Sequence, residues 1–227
     1  MLNDKKWKTL PKKRITLELT IYNNNFITKN KNIMNPLTSI KGTIALGFVL
    51  ALLAALVLPS VGRFNIPELT VWLHVISGIT WVGLLYYFNF VQVPAMGEAL
   101  ADEGGPGPAA IGKYIAPRAL LWFRMSAAAT WITGAYALEN IGGFVAAFMF
   151  APGLQMIGLG AWLGTIMLFN VWVIIWPNQQ KILGMKEASD EEITKAKFTA
   201  AMASRTNVVL SVPMLLCMTG FGHGNLF

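Results

Sequence analysis

At 227 residues, with 55% hydrophobic content, 13% charged residues and positive mean hydropathy, the chain is too apolar for an ordinary soluble domain of its size. The formal charge of +7 does not point to a nucleic-acid partner, because residues 1–34 hold eight lysines and arginines against two acids and leave the remainder near neutral. The single cysteine, Cys217, excludes an intramolecular disulfide, a CxxC redox pair and covalent haem attachment through CxxCH.

Residues 1–42 read as a basic, asparagine-rich cytoplasmic tail without helical periodicity or the apolar core of a secretory signal, and a break in composition makes Met34 an alternative start. Residues 43–227 read as one all-α integral membrane domain, a bundle of about five transmembrane helices. The first span, Thr43 to Val61, is a featureless anchor that ends near Pro59. The second, Leu69 to Val93, follows Pro67 and Glu68, which suit a helix first turn, and is expected to close at Pro94. Gly/Pro clusters mark residues 95–117 as a loop. The third span, Ala119 to Leu138, carries Trp122, Arg124 and Trp131, and the following segment to Pro152 is too short to cross and return. The fourth, Gly153 to Trp176, is expected to stop at Pro177. Ser189 and Glu192 then form a capping box that opens a cytosolic helix. The fifth span, Thr206 to Gly222, is interrupted by Pro213.

Orientation follows from the basic loops. The tail, Lys113 and Arg118, and the group Lys181, Lys186, Lys195, Lys197 and Arg205 lie on one side, against Arg63 on the other. The N-terminus is therefore expected in the cytoplasm and the C-terminus outside. This parity sets His74 and His223, the two histidines of the chain, in the same outer leaflet.

Steps of three and four from His74 reach Gly78, Trp81, Leu85, Asn89 and Gln92, so an imidazole, a glycine, an indole and two amides share one stripe. Polar groups at membrane depth face a protein interior, a cavity or a cofactor. His74 and His223 could ligate the iron of a non-covalent haem b from opposite faces, with Gly78 and Trp81 beside it and Met218 as a reserve ligand. The plainer reading makes His74 an interior hydrogen-bonding group and His223 a solvated terminal residue. Helical counting supports the plainer one for His223, which falls off the stripe of Asn207, Ser211, Met214 and Met218. A second cluster, Asn89, Arg124, Asn170 and Asn207, shares a cytoplasmic depth. These are the groups that would hold a planar anion or a haem propionate, or simply cap helix ends.

The stretches WLHVISGITWVGLLYYFNFVQVPA, FNVWVIIWPNQQKILG and SRTNVVLSVPMLLCMTGFGH resemble the membrane region of the bacterial cytochrome c-linked urate hydroxylases, the urate oxidase N-terminal family, over most of residues 69–223. The resemblance implies a multi-pass protein of the bacterial inner membrane that oxidises urate and passes electrons to a cytochrome c. The family's fused cytochrome has no counterpart here, because the chain carries no CxxCH, so a separate cytochrome c is the expected acceptor. The competing expectation is a non-catalytic assembly, transport or electron-transfer subunit of a larger membrane complex.

Overall fold

The computed structural model describes residues 35–57 and 65–224; the expectations for the tail up to residue 34, for Met34 and for Pro59 lie outside them, while helix already begins at Ile40, inside the expected tail. The chain divides into two units between Phe64 and Asn65. In the first, the helix α1 (Ile40–Val57) follows a 3-10 turn, Pro36–Thr38, whose cap Asn35 accepts the Leu37 amide at 2.9 Å. Beyond Lys41 in its first turn it is apolar on every face.

The second unit holds α2 (Ile66–Ala101), α3 (Ala116–Ile141), α4 (Phe144–Phe148), α5 (Gln155–Ile182) and α6 (Asp190–Gly222), and no strand occurs among the described residues. The side-chain pairings run in opposite senses along every neighbouring pair. His74 meets Thr130 while Phe88 meets Phe123, Trp131 meets Thr165 while Arg124 meets Trp176, and Asn207 meets Asn170 while Lys181 meets Glu192. Tyr86 and Asn89 of α2 close the ring on Ser211 and Ser204 of α6. The result is an antiparallel four-helix bundle in the order α2, α3, α5, α6. Its core stacks Trp81, Leu85 and Phe88 on Phe123, Ala127, Met167, Val171 and Met214.

Length and composition make α1, α2, α5 and α6 long and apolar enough to cross a membrane, four of the expected five. The third expected span lies in α3, which has 26 residues but is less apolar because it carries Arg118, Arg124 and Glu139. The segment after it folds back on the bundle as α4, bracketed by Gly143 and Gly153 at φ 102° and 82°, conformations that favour glycine. The Ala147 carbonyl of α4 then lies directly against Gly158 of α5, where a side chain would not fit.

The prolines behave otherwise than expected. Neither Pro94 nor Pro177 ends its helix, and the loop after α2 contracts to residues 102–108 with their Gly/Pro turns. A proline in a helix loses one hydrogen bond and presses on the carbonyl four residues back. The chain accommodates this by widening the preceding turn. Phe88–Gln92, Ile111–Ile115 and Asn170–Ile175 are π turns, and the residues before Pro94, Pro117 and Pro177 donate to carbonyls five residues back, those of Phe88, Ile111 and Val171. Pro213 is likewise passed without a break, its ring on the exposed face, so the expected cytosolic helix and fifth span are one helix of 33 residues.

Candidate functional site

The stripe counted from His74 faces the bundle. Trp81, Leu85 and Gln92 are buried, and His74, Gly78 and Asn89 are half-buried. Towards the His74 end of α2 packing loosens, and the helix has no fully buried residue before Trp81. His74 lies in this looser half. Its Nδ1 is 2.8 Å from the Thr130 carbonyl oxygen. A carbonyl only accepts, so in the neutral ring Nδ1 carries the proton and Nε2 keeps its lone pair. Gly134 supplies the space, because a Cβ built there would stand 2.8 Å from Cε1 and 2.9 Å from Nδ1 but 3.8 Å from Nε2. The ring is thus pressed on α3 by its Nδ1 edge. Gly78 faces Thr130, whose Cγ2 would stand 3.7 Å from an added Cβ. Two turns below His74 on the same stripe, Trp81 is 2% exposed and its indole N–H has no hydrogen-bond partner among the described residues. Buried polar groups are nearly always satisfied, so this indole donor, two turns along the stripe from His74, stands out.

His223 caps α6 and is exposed, with Nδ1 2.8 Å from the Thr219 carbonyl, which again leaves Nε2 open. The interior stripe of α6 is the counted one: Asn207, Ser211 and Met214 are buried and Met218 is half-buried, its thioether against Gly160 of α5. His223 stands off that stripe, at the same end of the bundle as His74.

The second cluster is assembled differently from the expectation. Asn170 donates to Asn207 Oδ1 at 2.8 Å, and Asn207 donates to the Met167 carbonyl at 3.0 Å. Asn89 uses both amide protons, on the Leu85 carbonyl and on Ser204 Oγ, each at 2.8 Å. Leu85 and Met167 lie just ahead of the π turns of α2 and α5, where the ladder of backbone bonds changes register. The amides of Asn89 and Asn207 satisfy those two carbonyls and tie α2 and α5 to α6. Ser211, which donates to the Val208 carbonyl at 2.7 Å, accepts from the Tyr86 hydroxyl at 2.9 Å and extends the same seam. Arg124 takes no part in it; its guanidinium lies 3.7 Å over the Trp176 ring. Gln92 Oε1 is buried without a hydrogen-bond partner among the described residues.

Sequence reasoning did not find Thr130, Gly134 or Trp176. Each acts through a partner on another helix, and no periodicity within one helix announces such a pairing. Among the described residues no three His, Cys, Asp or Glu side chains gather as a metal site. A haem iron does not need such a group, since one or two axial ligands suffice.

Residues 137–226 match the family described as urate oxidase N-terminal. That region is urate oxidase N-terminal-like. It takes in the last turn of α3, α4, α5 and α6, with Asn170, Asn207, Met218 and His223, and begins after His74, Gly78, Trp81, Asn89 and Arg124. No curated protein and no solved structure matches the chain.

Proposed function

We propose that the bundle, of which residues 137–226 are urate oxidase N-terminal-like, is a haem b-binding redox domain of the bacterial inner membrane, related to the urate hydroxylases. The observation that carries this reading is the His74 imidazole, held by Nδ1 on Thr130 with Nε2 open, above the orphan indole of Trp81. Ligating histidines commonly donate their other ring nitrogen to a backbone carbonyl, which fixes the ring and raises its basicity. His74 would hold the iron, and Trp81, two turns along the same stripe, would donate to an acceptor on the group; Gly78 packs against Thr130 and lets α2 lie close to α3. His223 and Met218 are the candidates for the second axial position. When bound, the haem would supply one-electron transfer, with a separate cytochrome c as the class of acceptor.

In this reading the chain crosses five times with its N-terminus in the cytoplasm. Helix α3 pairs with α2 near both of its ends, through Gly134 and Phe123, and with α5 through Trp131 and Arg124, so it goes where they go. Arg124 is the group available for urate or a similar planar anion. The amides of Asn89 and Asn207 act as helix ties, and Asn170 bonds to Asn207. That seam favours a second reading, a structural or electron-transfer subunit in a larger complex. The absorption spectrum of the detergent-purified full chain, expressed with ample haem, separates the two. A Soret band lost in His74→Ala but kept in Arg205→Ala is the expected result. A wild-type protein without Soret absorbance removes the haem reading and leaves the subunit.

A further inference from the structure

Arg124 is a half-buried cation without an anion. It makes no hydrogen bond or ion pair to a described residue, and the ion pair found among them joins Lys181 to Glu192 at 3.1 Å. Arg118, on the same helix, shows the ordinary solution: it is exposed, and its Nη1 donates to the Tyr114 carbonyl at 2.9 Å. A guanidinium stays charged at any relevant pH and carries five donors in its plane. Half-buried in an apolar bundle, it is costly until an acceptor meets those donors.

Trp176 determines how the acceptor can arrive. The indole covers one face of the guanidinium, so the N–H groups remain in the plane and point edge-on. Trp176 follows the π turn Asn170–Ile175, and its indole is turned towards α3. Stacking also restrains the side chain, which lowers the entropy lost when a ligand binds.

We propose that the Arg124–Trp176 pair is the receptor for an oxyanion presenting two acceptor atoms side by side, taken either from a membrane phospholipid phosphate or from a soluble planar anion of the urate kind. The assignment deepens the substrate side of the proposed function and does not require haem. Two probes distinguish the sources: titration calorimetry of the full chain in detergent with urate, and native mass spectrometry after addition of phosphatidylglycerol. The wild type is expected to bind one of them saturably. Arg124→Gln should weaken that binding by about 10- to 100-fold, the usual weight of a charge-assisted bidentate contact. Arg124→Lys should fall between, because it keeps the charge and loses the planar fork, and it carries the test if the Gln variant does not fold. Urate binding assigns the site to a soluble substrate, and retained lipid assigns it to the bilayer. No binding of either probe by the wild type, or wild-type binding by both variants, overturns the proposal. Oxyanion binding in a preparation without a Soret band refutes the haem reading alone.

Discussion

Gly134 bears directly on His74, because the imidazole rests where its side chain would be. In Gly134→Ala the new methyl would come within 3 Å of two ring atoms, so the ring must leave α3 and break its bond to the Thr130 carbonyl. Overpacking of this kind costs about 1–3 kcal/mol. We expect a lower melting temperature and, where haem is bound, a shifted or lost Soret band. Gly78→Ala is the matched control, since its methyl meets only Thr130 Cγ2 at an ordinary 3.7 Å. It should melt at or above the wild-type temperature, because alanine is the better helix former. Equal losses in the two variants would show that His74 is not held by this contact.

At the scale of the element, α6 spans 33 residues, about 50 Å, against a hydrocarbon core of about 30 Å. In the proposed topology its charged first turns stand outside the bilayer, and the capping box holds them. Ser189 Oγ accepts the Glu192 amide at 3.2 Å, and the Glu192 carboxylate accepts the Ser189 amide at 3.0 Å. The Ser189 amide and then Lys181 hold the Glu192 carboxyl below its usual range. Ser189→Ala should cost about 1 kcal/mol, felt at this end alone. Hydrogen exchange should quicken at the amides of Glu191 to Ile193 and stay unchanged around Asn207. Unchanged exchange at the first turn would mean that contacts with α5, not the cap, hold it. The π turns follow the same logic, since each lets a helix continue past a proline and each of those in α2 and α5 has a carbonyl at its entry met by an asparagine.

For the whole molecule, the bundle places Asn140 at the same end as His74 and His223, and Lys186 at the end that holds Arg124 and Asn207. Five crossings with basic loops inside then give a direct test. A cysteine at position 140 should react with an impermeant maleimide in intact cells, and one at position 186 should react only after lysis. Cys217 is buried and gives little background. The opposite pattern would invert the bundle and move the histidine end to the cytoplasmic side.

Much of this was legible in the chain itself. Apolar spans of bilayer length, the Ser189–Glu192 cap and the inward stripe from His74 to Gln92 rest on local composition and on a period that every helix shares. The urate oxidase N-terminal-like character of residues 137–226 is likewise written in motif order. The sequence misled where one local rule was applied without its surroundings. Prolines read as helix ends because their clash is local, whereas before Pro94, Pro117 and Pro177 it is relieved by a π turn that reaches a carbonyl five residues back, and at the entry of the one in α5 Asn207 adds a bond from another helix. The same holds for the amides, whose chemistry suits a ligand as well as a neighbour, so that only packing decided that Asn170 meets Asn207 and Asn89 meets Ser204. It also decided that Arg124 stacks on Trp176 and keeps its donors open. Pairings across helices depend on register and rotation between elements, and those follow from how the side chains of four helices fill one core.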